Sequence, residues 1–207
     1  MAVKPTRINF AAFKLPTLVT VALQGRPPVI MEIFGSITEE KVDEWTKLIT
    51  TIQSDNSLLM LLSSGGGTKR AQRIAELIKL LDVPKAALVI GEASSMGLVM
   101  LGSIPKACRF ALPSARFCAH YGASDYRYGG QCDLEAQTIG GWSLRETLRF
   151  VRQKFADQLK EEAIFQEELR RIVGKKLTPS YLRGNHFLTA QEALDWGIIS
   201  QICSGGA

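Results

Sequence analysis

The sequence predicts an α/β fold built on a parallel sheet, and three observations carry that prediction. The runs Val29-Ile30-Met31-Glu32-Ile33-Phe34-Gly35, Ser57-Leu58-Leu59-Met60-Leu61-Leu62 and Ala86-Ala87-Leu88-Val89-Ile90 are nearly continuous in apolar side chains. Strands of that kind are buried on both faces, which is the habit of parallel sheets. Segments with helical spacing separate the runs, so strand and helix alternate over the first half of the chain. Turn residues then mark where the runs stop, at Gly35, at Gly65-Gly66-Gly67 and at Gly91.

Residues 1 to about 28 are Pro-punctuated and read as an irregular N-terminal arm with one short apolar segment, Leu18-Val19-Thr20-Val21-Ala22-Leu23. Residues 29–207 read as a single domain. After the first strand, Thr38 followed by Glu39 and Glu40 is a helix start, with acids near the positive end of the helix dipole. Trp45, Leu48, Ile49 and Ile52 recur at helical spacing behind it. The second strand runs straight into the triple glycine. Thr68 to Leu81 is an amphipathic helix with Ile74, Leu77, Ile78 and Leu81 inward, stopped by Pro84. The third strand is expected to end at Gly91, with a helix opening at Ser95. Two short strands are expected around Pro113.

From Ser143 to Val173 there is no Gly and no Pro, and Leu144, Leu148, Val151, Phe155 and Leu159 keep a helical stripe. One helix of about 30 residues would extend about 45 Å. That is longer than a small core can cover, so it would pack against another subunit. The competing reading is two shorter helices with a bend near Ala163. Phe187 to Ile199 closes the chain as a short helix and a last apolar strand.

With 207 residues the chain can bury a full core. Its 46 % hydrophobic and 22 % charged content is that of a soluble globular protein. No apolar run is long enough to span a bilayer. The basic start, Met1 to Arg7, is followed by a stretch broken at Lys14, Pro16 and Gln24, so no signal peptide is expected. Cys108, Cys118, Cys132 and Cys203 form no Cys-x-x-Cys pair and read as reduced thiols of a cytoplasmic protein. The formal charge of +5 is dispersed, with Arg145, Arg149 and Arg152 interleaved with acids, so nucleic acid is not an expected partner. No Cys or His cluster has metal-ligand spacing, and the glycines lack the Lys and Ser or Thr of a nucleotide loop. No cofactor is expected.

The chemistry is concentrated around Gly91-Glu92-Ala93-Ser94-Ser95-Met96-Gly97 and Phe117-Cys118-Ala119-His120. A serine hydroxyl is a poor nucleophile near neutral pH and needs a base to take its proton as it attacks. Ser95 lies where a buried strand turns into a helix, the place where parallel sheets commonly present ligands. Backbone N–H groups at such a turn face a developing oxyanion, and Gly66 and Gly67 offer further donors. The chain has only two histidines, His120 and His186. His120 reads as buried on a strand, the setting of an ordinary core histidine; its pairing with a serine turn favours a base. His186 reads as a packing or capping residue. Plainer readings stand beside these: Ser95 as a helix cap, with Ser94 the more natural cap, and the glycines as a simple strand-to-helix turn.

The serine turn resembles Gly-x-Ala-Ala-Ser-Met-Gly of the Clp protease proteolytic subunits, in the ClpP/crotonase-like superfamily. Phe110-Ala111-Leu112-Pro113-Ser114-Ala115-Arg116 followed by His120 is similar to that family's Ala-Leu-Pro-Asn-Ser-Arg segment and base. Asn185-His186-Phe187-Leu188-Thr189-Ala190-Gln191-Glu192-Ala193 resembles Asp-Arg-Phe-Leu-Ser-Ala-x-Glu-Ala. The likeness covers roughly residues 29–122 and 185–203. It implies repeated β-β-α units with a long protruding handle helix at about 143–175. It also implies a serine endopeptidase acting on unfolded proteins or short peptides, a ring homo-oligomer or a mixed ring with paralogues, and an AAA+ unfoldase partner. The implied site is Ser95 as nucleophile, His120 as base, Asn185 as its orienting partner, and the N–H groups of Gly67 and Met96 as oxyanion hole.

Three departures bear on that reading. Gly65 replaces the family's proline in Ser63-Ser64-Gly65-Gly66-Gly67. The stretch from His120 to Asn185 is longer than the family's by about a helical hairpin. Asn185 stands where the family has aspartate, although an amide oxygen still accepts a hydrogen bond from imidazole; Asp125 is a possible substitute. The main alternative is a non-catalytic ring subunit with a degenerate Ser-His-Asn site. A crotonase-type acyl-CoA enzyme, and a cysteine peptidase using Cys118, His120 and Asn185, are the remaining readings.

Overall fold

The computed structural model describes residues 15–65, 68–120, 144–174, 178, 182 and 186–203. In chain order the elements are α1 (Thr17–Ala22), β1 (Pro28–Ser36), α2 (Glu39–Thr50), β2 (Ser57–Gly65), α3 (Thr68–Leu80), β3 (Lys85–Ser94) and α4 (Met96–Gly102). A 3-10 turn at Lys106–Cys108 leads to β4 (Arg109–Ala111), β5 (Arg116–Cys118), α5 (Leu144–Val173), β6 (Phe187–Thr189), α6 (Ala190–Asp195) and β7 (Gln201–Ile202). The main sheet runs β1-β2-β3-β4-β7, with every one of those pairs parallel. β5 joins β3 in parallel, and β6 joins β5 antiparallel.

The apolar runs are explained by burial on two sides. Successive strand side chains point to opposite faces. Leu58, Met60 and Leu62 of β2 therefore enter one core with Met31, Ile33, Ala87 and Val89, beneath Trp45, Ile49, Ile74 and Ile78 of α2 and α3. Leu59 and Leu61 enter a second core with Ala86, Leu88, Phe110 and Cys203. Thr38 caps α2 by accepting from the Lys41 N–H, as its position predicts.

The structure corrects four details of the sequence reading. The segment around Leu18–Leu23, read as part of an irregular arm, contains α1, and Val19 and Leu23 are buried in the second core. Its apolar pairs were too few to signal a helix; they are fixed by the sheet face they cover. That face is covered less fully than two-sided burial predicts, since Ile30, Phe34, Ile90 and Leu112 remain partly buried. The terminal strand is at Gln201–Ile202 rather than at Ile198-Ile199, which are buried in the bend before it. Finally, β3 continues past Gly91 to Ser94.

That last correction positions the site. β4 pairs with Ala87 to Val89 of β3 and then ends. β5 takes over, pairing Arg116, Phe117 and Cys118 with Glu92, Ala93 and Ser94. On the other side the β2–β3 register shifts: Leu62 faces Val89 but Ser64 faces Ala93, so Ile90, Gly91 and Glu92 all stand opposite Ser63. Gly91 is the residue that allows this bulge, because a Cβ there would lie 2.3 Å from the Ser63 hydroxyl oxygen.

α5 is one continuous helix of 30 residues, about 45 Å long, and not two helices bent near Ala163. Among its described side chains the buried ones are Phe165, Leu169, Ile172 and Val173, all towards its C-terminal end. That end seats on α4 at Gly102, where a Cβ would come within 2.4 Å of Ile172 Cδ1 and 2.5 Å of its Cγ1. Gly102→Ala gains helix propensity of about 1 kcal/mol but overpacks the seat, which costs about 1–3 kcal/mol. We expect a net loss of stability in denaturant titration. Ile172→Ala in the same chain should make the Gly102 substitution stabilising, a coupling that a double-mutant cycle measures.

Candidate active site

Ser95 is the single residue between β3 and α4, with φ 51° and ψ −119°. Apart from Gln24, it is the one non-glycine residue with positive φ among the described residues. A side chain in that region costs about 1–3 kcal/mol and persists only where the surroundings impose it. Here they do. β5 brings the Cys118 carbonyl to accept the Ser95 N–H at 2.9 Å, while the Ser95 carbonyl accepts from the Leu98 N–H at 3.0 Å and starts α4. The chain must pass from strand to helix within one residue, which places Ser95, 8% exposed, at the carboxyl end of β3. Strand–serine–helix turns of this strained kind present the nucleophile in α/β-hydrolases.

The simpler reading of Ser95 as a helix cap loses its support. Ser95 occupies the N-cap position of α4, but its side chain makes no capping hydrogen bond. Ser94 does not cap α4 either. It is the last residue of β3, and its hydroxyl donates to the Glu92 carboxylate.

The strand that fixes Ser95 also carries the candidate base. Cys118 pairs with Ser94, and His120 follows Cys118 by two residues on the same chain. His120 lies just beyond β5 and is partly exposed, not buried on a strand as the sequence suggests. The β5–β6 ladder pairs Cys118 with Phe187, Phe117 with Leu188 and Arg116 with Thr189. β6 is anchored by a capping box at the start of α6. Thr189 Oγ1 accepts the Glu192 N–H at 3.2 Å, and the Glu192 carboxylate accepts the Thr189 N–H at 2.8 Å. The carboxylate also accepts from the Thr189 hydroxyl at 2.9 Å, and its bonds from the Thr189 backbone first and side chain second hold the exposed Glu192 carboxyl below its usual range.

The family described as Clp protease matches residues 27–205 of this sequence. The chain belongs to the Clp protease family. The ATP-dependent Clp protease proteolytic subunit of Deinococcus radiodurans is 29% identical over 176 residues, covering 84% of this chain and 76% of that protein. Among solved structures, an Asn-to-Asp mutant of ClpP1 from Listeria monocytogenes superposes with a TM-score of 0.63 at 19% identity. It covers 84% of this chain and 90% of that one, and the likeness is one of fold.

On this Clp protease fold the sequence-derived site residues divide in two. Ser95, Met96 and His120 lie within the described residues. Met96 is buried and opens α4, so its N–H belongs to the first turn, where backbone donors have no intrahelical acceptor. Gly67, Asn185 and the alternative acid Asp125 lie outside the described residues. His186, expected to pack or cap, is exposed, which speaks against packing alone. Cys118 does not suit a nucleophile: it is buried, and burial first, then the Glu92 charge, push its thiol pKa up, away from thiolate. Among the described residues no three His, Cys, Asp or Glu side chains come together as a metal site.

Two features escaped the sequence reading: the Cys118 carbonyl that holds the Ser95 turn, and the burial of Arg109. The second left a trace, a lone cation inside Ala107-Cys108-Arg109-Phe110-Ala111. The backbone strain at Ser95 has a measurable consequence. Ser95→Gly should be more stable than Ser95→Ala by about 1 kcal/mol in chemical denaturation, because glycine adopts positive φ without penalty. Equal stabilities would mean that the turn is relaxed.

Proposed function

We propose that this chain is a serine-type endopeptidase, the proteolytic subunit of a ring-forming Clp-like protease of the cytoplasm. The observation that carries the reading is Ser95 itself, held at positive φ by the strand that leads to His120. In the proposed reaction Ser95 Oγ attacks the peptide carbonyl as His120 takes its proton. The Met96 and Gly67 N–H groups hold the oxyanion of the tetrahedral intermediate. His120 returns the proton to the leaving amine, and a water activated by His120 then releases the acyl group from Ser95.

Asn185 is assigned to orient His120. Its sequence position supports this: Asn185 stands two residues before Phe187, His120 stands two after Cys118, and Phe187 and Cys118 are register partners. An amide oxygen accepting from the imidazole Nδ1–H fixes the tautomer but lends no charge to the imidazolium. The proposed enzyme is therefore a weak one. In the same reading α5 joins subunits into rings, with one kind of subunit or with paralogues. An inner chamber then admits unfolded proteins or short peptides, and an AAA+ unfoldase supplies them. The free thiols Cys108, Cys118 and Cys203 suit a reducing compartment. The second reading, a non-catalytic ring subunit, is favoured by one specific observation, the Asn at position 185.

Labelling of the purified protein with a fluorophosphonate, read by intact mass, separates the two. We expect one adduct, absent from Ser95→Ala. An assembled sample that takes no label would favour the non-catalytic subunit. Asn185→Asp should raise kcat on a fluorogenic peptide, by an amount bounded at about 10⁴-fold, the cost of the reverse change in a serine triad. A kcat that stays unchanged would remove Asn185 from the site.

A further inference from the structure

We propose that Arg109 is a positioning residue for the Ser95 turn: its buried guanidinium anchors the far end of α4 and so fixes where the near end presents the Ser95 hydroxyl and the Met96 N–H. The inference rests on the reading of Ser95 as nucleophile.

Arg109 sits at the start of β4 and is 8% exposed. Its Nε donates to the Ile104 carbonyl at 2.8 Å, its Nη2 to the Gly102 carbonyl at 3.1 Å and its Nη1 to the Ile198 carbonyl at 3.4 Å. None of the ion pairs among the described residues includes it. Burial first, and the like charge of Arg171 second, bring its pKa down to about 10. A cation kept in the interior with no counter-ion among the described residues is an expensive way to fill space, and a large apolar side chain would fill it at less cost. What a guanidinium adds is directional donors. α4 ends at Gly102, and the last carbonyls of a helix have no intrahelical donor. A cation there also complements the negative end of the helix dipole.

α4 is short, seven residues, and is held from outside at both ends. At its start, the Ser95 N–H is tied to the Cys118 carbonyl of β5. At its finish, the Gly102 carbonyl is tied to Arg109 of β4. β4 and β5 both pair with β3, the strand that delivers Ser95. The two anchors are thus referenced to one strand, and α4 is stretched between them. Arg109 is itself fixed by the C-terminal segment, since its carbonyl accepts both the Ser200 N–H and the Ser200 hydroxyl at 2.8 Å. Loss of the guanidinium frees the finish of α4 to slide, and a shift of about 1 Å in a catalytic group can cost about 10²-fold in rate.

The test compares wild type with Arg109→Met and Arg109→Lys. The readouts are the rate of fluorophosphonate labelling at Ser95, kcat and KM on a fluorogenic peptide, melting temperature and assembled mass. For Arg109→Met, folded and assembled, we expect labelling and kcat to fall about 10- to 100-fold with KM held within about twofold. Arg109→Lys, which retains the charge and part of the hydrogen bonding, should recover some of the loss. Arg109→Met with a lowered melting temperature but wild-type kcat would overturn the proposal, leaving Arg109 a purely structural residue. Should Arg109→Met fail to fold, Arg109→Lys decides: a kcat reduced about threefold or more at constant KM supports the role, and a wild-type kcat overturns it. A wild-type protein that takes no label fails at the earlier step, removing the nucleophile and with it any residue that positions it.

Discussion

The hydrogen bond from the Ser95 N–H to the Cys118 carbonyl is the contact on which the rest of the site depends. A serine backbone left to itself avoids positive φ, because its Cβ crowds the neighbouring carbonyl. The bond is available only because β3 outlasts β4 and acquires β5 as a second neighbour. The exchange of partners lets one strand serve two purposes. Its first half is an interior strand of the main sheet, and its second half carries the turn out to where His120 follows.

Glycines make room for this arrangement at two points of close approach. Gly91 admits Ser63 where β2 and β3 change register, and Gly102 admits Ile172 where α5 meets α4. In both cases a methyl group would enter space already filled by a neighbour. The second contact links the long helix to the site helix: Gly102 touches α5 through its Cα and receives Arg109 through its carbonyl. Packing in protein interiors is dense enough that such a junction transmits displacement instead of absorbing it. Any proposed assembly through α5 therefore bears on the helix that begins at Ser95.

The electrostatics of the site are local. Glu92 engages Ser94, and burial first with the Glu92 charge second favours the neutral form of the Cys118 thiol, which disfavours the sulfur as a nucleophile. The proposed Asn185 fits a site in which orientation of the imidazole outweighs stabilisation of its charged form. Part of the catalysis of a serine site survives a weakened triad, since oxyanion donors and binding act independently of the acid.

Much of this was legible in the linear sequence. Apolar runs at β1, β2 and β3 indicate interior strands, because they are short, bounded by turn residues and separated by segments of helical spacing, although one face proved less fully covered than the runs imply. Thr38 and its acids specify where α2 begins, and the absence of Gly and Pro from Ser143 to Val173 allows the long α5, whose continuity through Ala163 only the structure decided. The serine turn and the histidine segment specify the family by their residue types. Tertiary structure alone decided where β3 ends, since its last residues pair with β5, over 20 positions away in sequence, and with Ser64 of β2 across a register shift. It also decided that α1 is a helix on the sheet, that Ser95 is strained, and that Arg109 is buried against carbonyls. Each of these is set by groups far apart in the chain, whereas periodicity and capping are local, and only local forces leave their mark on neighbouring residues.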